Sequence, residues 1–291
     1  MKKILLLLCC SICFLDCISQ HSVTKTKKVS FIPEKDNVDI NIPKSGVTQD
    51  DVYVLIIANE DYQYVEDVSY AVRDGVVFKE YCEKTLGIEK NKIKLLTNQS
   101  AATIDAALEE TKHLPGIYKK LIFYYSGHGV HDEETNSYLL PVDCAASNLK
   151  HAIKLADLYN NFSNSAWENV FVFLDACFSG TTKGGEMLEK NARAVKVKVK
   201  DGVVKGNLVV FSATSSDQSA YPSDDYRHGV FTYYLLKKLK ETKGDVSLYE
   251  LNEYVKHNVK KYVFESKNKW QEPKMSASSK LKEQLQTIKL K

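Results

Sequence analysis

Residues 121–129 read Leu-Ile-Phe-Tyr-Tyr-Ser-Gly-His-Gly, and residues 170–180 read Val-Phe-Val-Phe-Leu-Asp-Ala-Cys-Phe-Ser-Gly. Each stretch is an apolar run of strand length that ends in turn residues, which is typical of a strand buried on both faces of a parallel sheet. Each run delivers one reactive side chain, His128 or Cys177, to the carboxyl end of its strand. Because open α/β sheets bind ligands at that edge, the two stretches predict an α/β fold with a cysteine and a histidine at its binding edge.

The segments around these two runs alternate between strand patterns and helix patterns. Further strands are predicted at 52–58, 92–96, 137–142 and 207–213, and helices at 69–86, 101–114, 151–162, 231–240 and 248–262. Buried parallel strands that alternate with helices predict a three-layer α/β sandwich, with helices on both faces of a mostly parallel sheet.

The start of the chain predicts export. Residues 1–19 combine a basic start with an apolar run at 4–15 that is too short to span a bilayer, as in a secretory signal peptide. Small residues precede Gln20, where we expect cleavage. Cys17 is also a candidate for lipidation, although residues 14–16 are a poor lead-in to such a site. We therefore expect a periplasmic or secreted protein without a transmembrane anchor.

The cysteines of the expected mature chain are Cys82, Cys144 and Cys177. An odd number in an exported protein argues against a disulfide framework and leaves at least one thiol to explain. The expected mature chain has no Cys-x-x-Cys pair and no His/Cys spacing of the kind that holds structural zinc.

The charge of the chain is close to balanced. Removing residues 1–19 takes away two lysines and one aspartate, which lowers the net charge from +3 to +2. The basic residues are nearly all lysines mixed with acids, whereas nucleic-acid binding favours a concentrated basic patch, often with arginine. We therefore expect no nucleic-acid partner.

The sequence suggests one large domain over residues 51–276. Residues 20–50 are polar, rich in lysine and broken by two prolines, so we interpret them as an N-terminal arm or pro-segment outside the core. Residues 181–206 form a Lys-rich insert without a clear core pattern, which is usually functional or mobile. Residues 277–291 are left as a C-terminal tail.

Cys177 and His128 suit a nucleophile and its base. Cys177 follows Ala176 and precedes Gly180, and small residues let a substrate backbone approach closely, although a free cysteine is also a common core residue. His128 lies between two glycines and 49 residues before Cys177, close to the spacing of about 50 in caspases. The pair predicts thiolate attack on a carbonyl with the imidazole moving the proton. His131, further into a polar loop, is the rival base.

Three motifs resemble caspase-like cysteine peptidases, and more specifically metacaspases and bacterial orthocaspases. They are residues 124–129, residues 175–180, and residues 211–214 followed by 228–232, and the likeness runs from about 51 to 276. The resemblance implies a caspase-type sheet and a dyad of His128 and Cys177. It also implies that the backbone N–H groups of Gly129 and Cys177 form an oxyanion hole. Phe178 departs from the pattern, since metacaspases often carry histidine there.

The same resemblance bears on specificity. Caspases that cut after Asp have Gln two residues before the cysteine, whereas Asp175 stands here, as in metacaspases, whose acidic pocket takes Arg or Lys. Asp74 matches the second pocket acid of that family, and a carboxylate near the nucleophile favours a cationic side chain. The alternatives are a turn cap for Asp175 and a solvated helix residue for Asp74. Helical geometry directs Arg73 away from its neighbour Asp74.

The resemblance also raises self-cleavage and calcium activation. The insert at 181–206 lies where caspases carry the linker that they cut, although an uncut solvated loop fits the sequence equally well. Many metacaspases need calcium, and their acidic calcium-site residues include one a few positions past the catalytic cysteine. Because residues 183–185 here are Lys-Gly-Gly, we do not predict calcium dependence, which the resemblance alone leaves open, and we expect no cofactor.

The sequence as a whole therefore predicts an exported cysteine endopeptidase that acts as a monomer on peptides or proteins with Arg or Lys at the cleavage site. Two alternatives stay open. One is a catalytically silent caspase-like module that binds or scaffolds other proteins. The other is a clostripain- or gingipain-type peptidase, which shares the His-Gly and Cys arrangement but differs around the core.

Overall fold

A six-stranded sheet with helices on both faces forms the body of the protein. The computed structural model describes residues 36–178, 203–215 and 218–291. Its strands are β1 (Val52–Ala58), β2 (Ile93–Thr97), β3 (Lys120–Ser126), β4 (Gly129–His131), β5 (Ser137–Leu139), β6 (Ile153–Lys154), β7 (Asn169–Asp175), β8 (Leu208–Ser212), β9 (Pro222–Ser223), β10 (His228–Gly229) and β11 (Lys274–Ala277). Its α-helices are α1 (Ala71–Lys84), α2 (Ala101–Thr111), α3 (Leu155–Asn164), α4 (Val230–Thr242), α5 (Leu248–Lys267) and α6 (Ser279–Lys282).

The central sheet has the order β11-β8-β7-β3-β1-β2. Its strands run parallel except β11, which pairs antiparallel with β8 at one edge. Two small antiparallel sheets are inserted between strands of the main sheet: β4-β5-β6 lies between β3 and β7 in the chain, and β9-β10 lies between β8 and β11. The predicted three-layer α/β sandwich is confirmed.

The apolar runs form strands because they bury both faces. In β7, Val170, Val172 and Leu174 pack in the cluster that contains α2 and α3. The alternate residues Phe171 and Phe173 pack in the cluster that contains α1, α4 and α5. Successive side chains of a strand point to opposite faces, so an unbroken apolar run supplies two cores at once.

The structure differs from the sequence-based elements at a few points. The helix expected from residue 151 begins at Leu155, because Leu149–His151 forms a 3₁₀ turn and β6 pairs with β5 before the helix starts. The extended piece expected over 137–142 ends as a strand at Leu139. Strand β11 was not predicted, since its Lys-Met-Ser-Ala sequence is polar and lies at the sheet edge.

Two segments that the sequence left outside the core pack against it. Val38 of the N-terminal arm is buried in the cluster that contains α1 and α4, and Tyr81 donates a hydrogen bond to its carbonyl oxygen at 2.9 Å. Leu281, Leu285 and Leu290 of the C-terminal segment are buried in the same cluster. The arm carries only isolated apolar residues, which give no periodic signal, and the spacing of Leu281, Leu285 and Ile288 is too short a pattern to have been read as a helix.

Several sequence-based predictions lie outside the described residues. They concern the signal peptide at 1–19, the start of the arm at 20–35 and most of the insert at 181–206. Within the part of the chain that the structure does describe, every helix is too short or too polar to cross a bilayer.

The aromatic stack on β7 yields a test of the packing. Phe173 is fully buried, stacks on Phe211 with ring centroids 4.9 Å apart, and lies 5.8 Å from the ring of Phe78. We expect Phe173→Ala to lower the free energy of unfolding by about 3–5 kcal/mol, because the cavity cannot collapse between two rings. Urea denaturation measures it. The matched control is Phe264→Ala, whose ring is 48% exposed, with an expected change of roughly 0.5 kcal/mol. Equal losses in both variants would contradict this packing.

Candidate active site

The pairing of β3 with β7 brings the two reactive segments together. Ser126 and Asp175, the last residues of these strands, are register partners, and the Gly127 N–H donates to the Asp175 carbonyl oxygen at 3.3 Å. Because the strands are parallel and in register, His128 and Cys177 leave the sheet at the same carboxyl edge. The sequence-based placement of both residues at one sheet edge therefore agrees with the structure.

Gly129 shows how closely the two segments approach. A Cβ atom added at Gly129 would lie 2.6 Å from the Cys177 carbonyl oxygen and 2.5 Å from a ring carbon of Phe178. Contacts this short do not occur in proteins, so only glycine fits between the histidine strand and the cysteine turn. The segment that follows His128 therefore packs directly on the backbone of Cys177.

His128 is held in one orientation. Its ring lies 4.7 Å from the ring of Tyr62, and its backbone N–H donates to the Tyr62 hydroxyl at 2.9 Å. The Tyr125 hydroxyl donates to the His128 carbonyl oxygen at 2.8 Å. Nε2 lies 2.6 Å from the Glu66 carbonyl oxygen. A carbonyl only accepts, so Nε2 carries the hydrogen and Nδ1 is the nitrogen that can take up a proton.

Cys177 lies at the same edge and is fully buried. Tyrosines lie within electrostatic reach of it: burial raises the pKa of Tyr62, and the proximity of Cys177 raises it further. Burial likewise raises the pKa of Tyr221, to which Cys177 also contributes. Tyr62 thus contacts the His128 ring and lies within electrostatic reach of Cys177. The thiol has no exposed surface in this structure.

Asp175 is buried at the end of β7 and is held by the start of α4. Its Oδ2 accepts hydrogen bonds from the Thr232 hydroxyl at 2.7 Å and from the Thr232 N–H at 3.3 Å. The Thr232 hydroxyl also lies 2.7 Å from the Tyr124 hydroxyl. A buried carboxylate needs such donors, because burial without hydrogen bonds costs several kcal/mol.

Asp74 is the second buried acid. His228 Nδ1 lies 2.7 Å from Asp74 Oδ1, and the Gly229 N–H and the Ser126 hydroxyl donate to the same carboxylate at 3.1 and 3.3 Å. Burial raises the pKa of Tyr124, and the charges of Asp74 and Asp175 raise it further. Both predicted pocket acids therefore lie near one tyrosine hydroxyl.

His228 bridges two carboxylates. Its Nδ1 faces Asp74, and its Nε2 lies 2.8 Å from Oδ1 of Asp39, a residue of the N-terminal arm. Carboxylates only accept, so both ring nitrogens donate and the ring is an imidazolium. Burial alone would lower the pKa of His228, but the hydrogen bonds to Asp39 and Asp74 outweigh it and raise the pKa. The bridge is a buried, charge-assisted chain.

Arg73 and Asp74 point in different directions, as the helical geometry predicted. The Arg73 side chain is 35% exposed and pairs with Asp39, whereas Asp74 is fully buried. Burial raises the pKa of Asp39, but the hydrogen bonds and charges of His228 and Arg73 outweigh this effect and lower the pKa. Arg73 therefore pairs with the Asp39 carboxylate of the arm.

The structure groups the predicted site residues in two clusters. Gly129 packs on Cys177 at the strand edge that also carries His128. Asp74 and Asp175 are both buried near Tyr124. His131, the rival base, lies at the far end of β4, where its Nδ1 is 3.0 Å from the Asp132 carbonyl oxygen.

Sequence reasoning assigned no role to Ser126, Thr232, His228 or Asp39. The only signal for them was the placement of three of these residues in or beside the quoted motifs. Asp39 carried no signal, because an acid in a lysine-rich arm reads as an ordinary surface residue.

The described residues contain no group of three or more His, Cys, Asp and Glu side chains arranged to hold a metal ion. Residues 183–185, which gave no reason to predict calcium dependence, lie outside the described residues.

Comparisons with known proteins agree with the fold described above. The sequence profile of the caspase domain matches residues 51–285. The fold is similar to the crystal structure of caspase-1 from Spodoptera frugiperda, with a TM-score of 0.59 and 14% sequence identity over 83% of this chain and 92% of that chain. Curated protein sequences give no match.

The fold and the matched profile define a caspase-type α/β domain. The chain belongs to the caspase family of cysteine peptidases, because the profile covers most of its length. The resemblance read from the sequence motifs is confirmed at this level.

The contact of Gly129 with Cys177 predicts a sensitive position. We expect Gly129→Ala to displace the Cys177 backbone and to lower kcat/KM for a peptide reporter about 100-fold, because small displacements of reacting groups are costly. The control is Gly46→Ala, since an added Cβ at Gly46 meets nothing within 4 Å. Thermal unfolding of both variants separates lost activity from lost folding. Unchanged kcat/KM in a folded Gly129→Ala protein would show that the contact does not matter.

Proposed function

We propose that the protein is an exported cysteine endopeptidase that hydrolyses peptide bonds after Arg or Lys. Cys177 is the nucleophile and His128 is the base. The observation that carries the proposal is the register pairing of Ser126 with Asp175, which brings His128 and Cys177 off adjacent strands at one edge. Family membership supports peptide hydrolysis as the reaction class.

The orientation of His128 fits the proton transfers of this chemistry. Nδ1 takes the proton of the Cys177 thiol, and the thiolate attacks the carbonyl carbon of the scissile bond. The same nitrogen then gives the proton to the leaving amine, and a thioester to Cys177 remains. Water hydrolyses that thioester and releases the new carboxyl end. The Glu66 carbonyl, 2.6 Å from Nε2, keeps the ring in the required tautomer.

The oxyanion of each tetrahedral intermediate needs hydrogen-bond donors. We assign this role to the backbone N–H groups of Gly129 and Cys177. The close packing of Gly129 on the Cys177 carbonyl supports the assignment, because it places the two backbone segments side by side. Fixed donors of this kind stabilise the developing charge without reorganisation.

Asp74 and Asp175 are the proposed acids of the first specificity pocket. Both are buried near Tyr124 at the edge that carries Cys177. A cationic side chain that enters this region meets two carboxylates, whereas an acidic side chain is repelled. The hydroxyls of Ser126 and Thr232, which donate to these carboxylates, fix their positions.

Export and self-processing complete the proposal. Residues 1–19 serve as the signal peptide, and the lysines of 181–206 provide cleavage sites in the segment that follows Cys177. The enzyme acts as a monomer and without a cofactor. Self-cleavage within 181–206 would cut the chain just after Cys177. The free ends could then move and expose the buried thiol.

The proposal is tested with peptide reporters that end in Arg, Lys or Asp. We expect cleavage after Arg and Lys and none after Asp, because the pocket carries carboxylates. Cys177→Ala and His128→Ala should lower kcat/KM by at least about 1,000-fold. Intact-mass measurement of the same preparations should show fragments cut within 181–206 for the wild type and a single chain for Cys177→Ala.

Three results would contradict parts of the proposal. Faster cleavage after Asp would overturn the pocket and leave the dyad standing. Full activity of His128→Ala with loss in His131→Ala would move the base. Identical fragments from wild type and Cys177→Ala would remove self-processing.

A second candidate function is a caspase-like binding module without turnover. The observation in its favour is the complete burial of Cys177, which keeps the thiol from any substrate in this conformation. The presence of both dyad residues argues against it, since a module without turnover has no need to retain them.

Thiol labelling separates the two functions. Burial raises the pKa of the Cys144 thiol to about 11, with a contribution from Asp143, and burial raises that of Cys82 further. Both thiols are therefore protonated and slow at neutral pH. A peptidase should label at Cys177 at least about ten times faster than at Cys82 or Cys144, and His128→Ala should remove that advantage. Equal slow labelling of all three thiols would favour the binding module.

A further inference from the structure

The N-terminal arm is fixed across α1 and α4 by contacts that do not involve Asp39. Lys237 pairs with Asp36 at 2.6 Å, and the Tyr233 hydroxyl donates to the Asp36 carbonyl oxygen at 2.9 Å. Lys240 donates to the carbonyl oxygens of Asn37 and Ile40 at 2.7 and 2.9 Å. Residues 36–40 therefore dock on the domain through their backbone and Asp36. The Asp39 carboxylate takes no part in these docking contacts.

The Asp39 carboxylate contacts the ring of His228, whose other nitrogen contacts Asp74. The carboxylates of Asp39 and Asp74 face the two nitrogens of the buried His228 ring from opposite sides, and Arg73 pairs with Asp39 from α1. A neutral histidine has one N–H and would turn a lone pair toward one of the two carboxylates. The second carboxylate is therefore what keeps the ring in its cationic form.

A cation next to Asp74 changes what the proposed pocket can bind. An imidazolium 2.7 Å from Asp74 offsets the negative charge of that carboxylate. Asp175 is then the pocket acid that attracts an Arg or Lys side chain. The imidazolium also repels a second cation, and in a buried site that repulsion is weakly screened. A neutral His228 would still donate one hydrogen bond to Asp74 and would leave its negative charge in place.

We propose that Asp39 is a specificity-determining residue: by holding His228 as an imidazolium against Asp74, it offsets one of the two negative charges of the Arg/Lys pocket while the arm is docked. The inference rests on the proposed role of Asp74 in that pocket. It assigns the arm a direct electrostatic action on substrate choice, beyond any covering of the site. The charged groups that face His228 are Asp39 of the arm and Asp74 of α1, with Arg73 behind Asp39.

Two isosteric variants of the same arm test the proposal. Asp39→Asn removes the carboxylate that faces His228, whereas Asp36→Asn removes the carboxylate that faces Lys237 and leaves the bridge intact. The NMR titration of the His228 ring, assigned from its loss in His228→Gln, should shift to lower pH by about one pH unit or more in Asp39→Asn. It should stay unchanged in Asp36→Asn.

The second measurement is substrate choice. It compares kcat/KM for a reporter that ends in Arg with kcat/KM for one that ends in citrulline, which has the same shape without the charge. The ratio should rise about tenfold in Asp39→Asn and stay at the wild-type value in Asp36→Asn. A purely structural role of Asp39 would lower both rates together and leave the ratio unchanged.

The outcomes separate this inference from the proposed function. An unchanged His228 titration in Asp39→Asn overturns the inference, and so does an equal ratio in both arm variants. Failure of the wild type to cleave any reporter overturns the proposed function, and the titration then decides by itself whether Asp39 holds the charge. If Asp39→Asn does not fold, His228→Gln takes its place in the ratio measurement, since glutamine carries no charge, and a wild-type ratio overturns the inference.

Discussion

The in-register pairing of β3 with β7 is the constraint on which the site depends. It places Ser126 opposite Asp175, so that the residues beyond each strand end meet at one edge. A slip of one residue would send every side chain of one strand to the opposite face, so that valine and leucine would occupy the places where Phe171 and Phe173 now pack. Gly129 then lets the histidine segment lie on the cysteine turn without a side chain between them.

The start of α4 links the two buried acids. Thr232 donates to Asp175 through its hydroxyl and its N–H, while the Gly229 N–H and the His228 ring donate to Asp74. Each carboxylate therefore accepts hydrogen bonds from this one short segment, and losing either set would remove part of what compensates a buried charge. The helix start thus fixes the distance between two acids that come from separate elements.

The two residues of the proposed dyad are both buried at one edge of the sheet. His128 has its orienting hydrogen bond and Cys177 its neighbours, but neither residue has exposed surface. The arm joins this closed arrangement through Asp39, whose partners His228 and Arg73 lie 189 and 34 residues further along the chain. Under the proposed function, activation therefore requires access to Cys177, since His128 and Cys177 already leave the sheet at one edge.

The amino-acid sequence determined the layers, the buried strands, the two reactive residues at strand ends and the inward direction of Asp74. These features follow from local periodicity and from short motifs, which a linear chain displays directly. Tertiary structure alone decided the partners: His228 meets Asp74 across 154 residues, the arm packs on α1 and α4, and the polar strand β11 closes the sheet edge. Such contacts depend on how elements pack, and a polar side chain carries no local mark of the distant group that will satisfy it.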